Sequence, residues 1–259
     1  MTLGTKTRKS AWILFSFILP TLVVLFWYVA ARTKMVSSLL LPSPRVVMDE
    51  FWKQLTVGTI KSDIAISLQR IIKGYSLAAA VGVFLGVVMG MSRRAERFFS
   101  LTFTSLRQIP MMAWVPLLII WFGIGEESKV AVIFMAAYFP ILMNTLSGIR
   151  RTDPKLIEVG KMYKLSRLKL FTKIYLPSAL PNIFVGLKLG LGISWMAVVG
   201  AEMIAASSGI GFRLSDARAL MQFPIVFSGM FAIAIVGVFM DMALTFISRT
   251  ATPWEKNRH

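Results

Sequence analysis

The sequence predicts an all-α polytopic membrane protein of about six transmembrane helices, and three observations predict it. Apolar runs near the ~20 residues that cross a hydrocarbon core recur along the whole chain. Of the 259 residues, 56% are apolar and only 16% charged, too little polar surface for a water-soluble domain of this length. Finally, Lys and Arg are distributed unevenly, in alternate loops between the apolar runs.

The spans are expected at 11–31, 65–91, 98–122, 129–148, 180–205 and 225–248. Each should be helical, because a lipid-facing backbone must satisfy its own hydrogen bonds. The first follows Lys6, Arg8 and Lys9 and so resembles a signal peptide, but its 21 residues are long for a cleaved apolar core, and it is expected to stay as an anchor. After it, LPSPRVVMDEFWKQL (41–55) reads as a short amphipathic helix on the outer surface with Trp52 as an interface anchor; a simple packed connector is the alternative. In the second span Gly82, Gly86 and Gly90 recur every four residues, which offers a smooth face for a close helix neighbour. The third contains Pro110 and Pro116 and a mid-depth cation, Arg107. A proline-broken helix is tolerated at that depth where it packs on protein or lines a cavity. In the last two spans Lys188 and Asp241 each lie about 12 Å from the same membrane face by helical rise. They are expected to pair and clamp the two helices; snorkelling of Lys188 is the competing reading.

Charge sets the topology. One set of alternating segments (1–10, 92–97, 149–177, 249–259) carries 17 Lys and Arg, against 8 in the other (32–64, 123–129, 206–224). That excess places both termini and residues 149–177 in the cytoplasm. The net charge of +17 is therefore topological, and nucleic-acid binding is not expected. The stretch 153–177, with six cations and two acids, cannot itself span. Burying those cations would cost about 15–20 kcal/mol. It should start at Asp153-Pro154, a capping residue followed by a first-turn proline, and present Leu156, Val159, Met162 and Tyr163 as an apolar stripe. A break near Ser166 should begin a second short helix ending at Leu176-Pro177.

Several chemistries lack their residues. The chain has no cysteine, one histidine (His259) and no phosphate-binding Gly-x-x-x-x-Gly-Lys loop. Thiolate chemistry, His-ligated metal and Ser-His catalysis are thus set aside, and no cofactor is expected in this chain. If ATP drives it, another subunit binds the ATP and its magnesium.

IEVGKMYKLSRLKLFTKIYLP (157–177) resembles the cytoplasmic loop of permease subunits of binding-protein-dependent ABC importers. That loop reads Glu-Ala-Ala, three residues, Gly, nine residues, Ile-x-Leu-Pro. Glu158, Ile174, Leu176 and Pro177 fall on it in register; Val159-Gly160 replaces Ala-Ala and Lys164 replaces the glycine. A lysine there costs little if the turn does not require a positive φ. LPSP, LRQIPMMAWVPLLIIWFGIGEESK, YFPILMNTLSGIR and AEMIAASSGIG are likewise similar to permeases for sulfonates, taurine, nitrate and bicarbonate, over roughly residues 41–250.

The resemblance implies a MetI-like ABC importer permease fold and a set of partners. These are two ABC ATPase subunits inside, a solute-binding protein outside, and a second copy forming a homodimer in a bacterial cytoplasmic (inner) membrane. Residues 1–64 would form the anchor and outer connector, 65–250 the permease core and 251–259 a cytoplasmic tail. The coupling contact to the ATPase falls on Leu156, Glu158, Val159, Gly160, Met162, Tyr163 and Lys164, with Glu158 as the charged contact. Candidate path residues for a small anion, an aliphatic sulfonate or taurine first, are Arg107, Met112, Trp114, Met196 and Glu202. A structural pair of Arg107 with Glu202 or a carbonyl is the alternative. A secondary transporter or channel, which would need repeats and clustered in-span carboxylates, and a membrane-embedded enzyme remain as rival classes.

Overall fold

The computed structural model describes residues 15–33 and 35–254. Lys6, Arg8, Lys9, His259 and the first four residues of the expected first span lie outside them. The helices are α1 (Ile18–Arg32), α2 (Pro44–Val57), α3 (Thr59–Met91), α4 (Arg93–Leu106), α5 (Met111–Phe122), α6 (Glu126–Arg150), α7 (Pro154–Met162), α8 (Arg167–Leu170), α9 (Leu176–Ala205), α10 (Ile210–Ala219) and α11 (Phe223–Ala251). No strand occurs among the described residues.

Two compact units divide the chain. The first takes residues up to Lys61 together with Leu214–Phe231; the second takes Ser62–Arg213 and the residues from Ala232 onward. In the first unit the Trp27 indole donates to the Pro42 carbonyl (3.0 Å) and stacks with both Phe227 and Phe231, with ring centroids 5.7 and 6.1 Å away. α2 is the expected amphipathic connector helix, entered through Pro44 in its first turn and closed by Gly58 at φ +90°. Val47 is buried on it and Trp52 exposed.

The second unit is organised around α6. Its neighbour α3 presents the predicted glycine face, and the approach is close enough to demand it. A Cβ at Gly86 would stand 2.6 Å from Thr145 Cβ, and one at Gly90 would stand 2.7 Å from Ile149 Cβ. On the other side α9 packs along α6 with small residues on both helices: Gly148 of α6 and Gly186 and Gly190 of α9 lie where a Cβ would meet the facing helix within about 3 Å. Ile141, Leu142 and Ala137 fill the seam without exposure. α4 lays its aromatic face on the same helix, with Phe103 in edge contact with Tyr138 at 5.8 Å.

The expected third span, 98–122, is not one helix. It is α4 followed by α5, bent by 96° at residues 107–110. Pro110 removes a donor and disfavours helical backbone at Ile109, and the chain turns there. Among the described residues, four helical stretches are long and apolar enough to cross a membrane, or five if the bent pair counts as one. The described part of α1, 15 residues, is shorter than a full crossing. The hairpin's second helix also does not stop at Leu176-Pro177: helix runs unbroken from Arg167 to Ala205. A π-helical turn at Phe171–Tyr175 widens the coil just ahead of Pro177, giving room for the proline ring against the preceding turn.

Candidate functional site

Three places in the second unit carry chemistry. The first is the hairpin of α7 and α8. Asp153 caps α7 by accepting the Lys155 amide (2.9 Å), and Ser166 caps α8 by accepting that of Lys169 (3.4 Å). Between them α7 closes in a Schellman motif: Leu165 N donates to Gly160 O (3.1 Å) and Lys164 N to Lys161 O (2.9 Å). Lys164 is the left-handed residue of that motif, at φ +51°. The turn therefore does require a positive φ, and the lysine sits where a glycine would be unstrained. Gly160 explains the small residue before it, since a Cβ there would stand 2.6 Å from both Ile174 and Leu170 Cδ1.

That packing turns the rest of α7 outward. Leu156, Val159 and Glu158 are exposed, and Met162 and Tyr163 are 80% and 79% exposed. An apolar stripe with a carboxylate beside it, held on a short capped helix, offers a face that another surface could bury. α8, which follows the turn, continues through the π-helical turn into α9.

The second place is the opposite end of the bundle, where a buried ion network ties α3, α6 and α9. Arg70 Nη1 donates to Glu202 Oε1 (2.7 Å), and its Nε and Nη2 grip the Glu126 carboxylate at 2.7 and 2.6 Å. Glu202 further accepts from Ser67 (2.7 Å) and the Gly211 amide (2.9 Å). Arg70 also reaches the Ser208 carbonyl (2.8 Å), and Asp63 binds the Gly209 amide (3.2 Å) and pairs with Arg213. Glu202 is thus sealed by its own partners. Its cation is Arg70, not Arg107. Arg70 falls inside the second expected span, 65–91, and nothing local in the sequence marks it for this role. The signal available was a second in-span charge at the same end as Glu202.

The third place is a cavity of about 430 Å³ beside the α4–α5 break. Arg107, Trp114, Met135 and Asn144 line it. Of the path residues expected from sequence, Arg107 and Trp114 meet here. Met112 lies next to it, its Cε against Gly200 of α9. Met196 is elsewhere, 75% exposed in an apolar groove between α9 and α11 that also contains Asp241. At the edge of that groove Lys188 Nζ stands 3.6 Å from Asp241 Oδ1.

Residues 62–252 match the family described as the binding-protein-dependent transport system inner membrane component. A Bacillus subtilis (strain 168) permease protein named for aliphatic sulfonate transport is 35% identical over 240 residues, covering 93% of this chain and 87% of that protein. The taurine transport system permease protein of Escherichia coli (strain K12) is 34% identical over 244 residues, covering 90% and 88%. Among solved structures, an inward-facing methionine ABC transporter has a chain with TM-score 0.61 and 18% identity, covering 76% of this chain and 95% of that one. At that identity the likeness concerns the fold.

Proposed function

The chain belongs to the family of binding-protein-dependent transport system inner membrane components, and from that premise we propose that it is the permease subunit of an ATP-driven importer of small anions. It is a multi-pass membrane protein of the ABC importer permease class. In the proposed assembly two copies enclose the path in a bacterial inner membrane. A solute-binding protein delivers from outside, and two ATPase subunits, holding ATP and magnesium, dock inside. The hairpin of α7 and α8 is the docking element, on the cytoplasmic side where the cationic loops gather.

The observation that carries this reading is the exposed stripe Leu156–Val159–Met162–Tyr163 on a hairpin continuous with α9. A load applied to such a hairpin passes down one helix into the bundle without a flexible joint. Buried apolar contact supplies the grip, and Glu158 among the basic residues fixes orientation. The path runs past the cavity at the α4–α5 break. There Arg107 offers a cationic station, with Trp114 and Met135 as an apolar wall for an organic tail.

Aliphatic sulfonate or taurine is the preferred solute, supported by the names of the relatives; nitrate or bicarbonate import is the second reading. Proteoliposomes containing this permease, its ATPase and its binding protein test both. The expected result is taurine- or alkanesulfonate-stimulated ATP hydrolysis with uptake, weakened at least tenfold by Arg107→Gln. Stimulation by nitrate alone would transfer the assignment, and uptake without any ATPase would end it.

A further inference from the structure

At the hairpin end of the second unit a separate cavity of about 530 Å³ is bounded by α3, α4, α6 and α7. Its lining differs in kind from the apolar cavities: Arg93, Arg97, Arg150, Glu96, Thr152 and Tyr175 all contribute. Three guanidinium groups face one carboxylate, and that carboxylate is already taken, since Glu96 pairs with Arg150 across α4 and α6. Arg93 and Arg97 have no carboxylate partner among the described residues, so the cavity carries an uncompensated double positive charge. The first turn of α4 borders it, capped by Ser92 accepting the Ala95 amide (3.3 Å), and adds the positive end of a 14-residue helix.

A second observation points independently to a ligand. Thr152 lines this cavity, is only 4% exposed, and its hydroxyl has no hydrogen-bond partner. Buried hydroxyls are ordinarily satisfied, because leaving one unmet is costly. A ligand oxygen entering the cavity would meet two guanidinium forks that no carboxylate occupies, beside a wall that holds the idle hydroxyl. That set matches a tetrahedral oxyanion, for which arginine provides paired, directional hydrogen bonds.

We propose that this cavity binds a phosphate group, and that the headgroup of an anionic phospholipid is its source. Depth favours that source over free phosphate. The site lies where α3 ends at Met91 and α6 ends at Arg150, at the boundary of the apolar segments, on the end of the bundle where the cationic loops gather. Ile157 of α7 and Tyr175 of the π-helical turn are part of the same wall. An occupied site therefore braces the base of the hairpin against α4 and α6. The site does not depend on which solute the chain moves, and its assay needs no transport.

The test uses the purified full-length chain in neutral detergent, with thermal unfolding and equilibrium binding read against three probes. These are dioctanoyl phosphatidylglycerol, dioctanoyl phosphatidylcholine, and inorganic phosphate at matched ionic strength. Phosphatidylglycerol should raise the Tm by several degrees. Arg93→Gln/Arg97→Gln should weaken its binding at least tenfold, whereas Arg94→Gln/Arg249→Gln, which removes the same charge outside the cavity, should change it less than twofold. Thr152→Val gives a signature that misfolding cannot mimic: higher Tm without lipid and a smaller lipid-induced rise. Inorganic phosphate acting alone with the same arginine dependence would keep the site and make the soluble ion its ligand. Equal losses in both double variants, equal stabilisation by phosphatidylcholine, or an undiminished lipid effect in Thr152→Val would overturn the proposal.

Discussion

Arg70 of α3 and Glu202 of α9 lie 132 residues apart in sequence and 2.7 Å apart in space, both almost wholly buried. Charges so placed are stable only as a pair, and here serine hydroxyls and a backbone amide meet their remaining valences. Glu202→Gln should destabilise the chain by about 3 kcal/mol, because Arg70 then stays buried with only Glu126 to balance it. Arg70→Met/Glu202→Leu should lose less than the sum of its single variants. Thermal unfolding in detergent reads both; additive losses would mean the pair is not coupled.

The α3–α6 contact predicts an asymmetry between glycines. Gly86→Ala places a methyl 2.6 Å from Thr145 Cβ and should cost about 1–3 kcal/mol. Gly192→Ala, in α9 with nothing within 4 Å of the new methyl, should be neutral or stabilising by up to about 1 kcal/mol. A common response at both positions would show that backbone entropy, and not close packing, governs these glycines.

Lys164 holds a left-handed backbone at φ +51° with a side chain attached. Lys164→Gly should relieve about 1 kcal/mol of local strain and slow amide exchange across the hairpin turn, measurable by mass spectrometry. Faster exchange after the substitution would mean that the lysine side chain itself supports the turn.

Lys188 and Asp241, 3.6 Å apart on α9 and α11, should behave as one electrostatic unit. Lys188→Glu or Asp241→Lys alone should depress folded yield from membranes, and the double reversal should recover it. A double variant no better than either single one excludes a productive pair.

Much of this architecture was legible because the deciding signals are local. Asp153-Pro154 marks a helix start, six cations rule out a span at 153–177, and glycines four apart mark a contact face. What escaped was non-local or averaged away. The 96° bend at 107–110 lies inside an apolar run whose composition looks like one span. Pro177 read as a stop because prolines usually end helices, whereas a π-helical turn absorbs it. The Arg70–Glu202 pair escaped because one charge in a span has no visible partner until folding brings the other beside it. The need for a positive φ at residue 164 could be read only from the closed turn.

The proposed transmission role of the α7–α8 hairpin is tested most directly at Met162, which is 80% exposed at the tip of the stripe. The chain has no cysteine, so Met162→Cys creates a unique thiol for a photo-reactive maleimide. Irradiating the transporter assembled in membranes should join this position to the ATPase subunit, with a yield that changes between nucleotide-free and ATP-bound states. Absence of any ATPase adduct in an assembled, hydrolysing complex, or labelling of the thiol from the outer face of intact cells, would contradict the account.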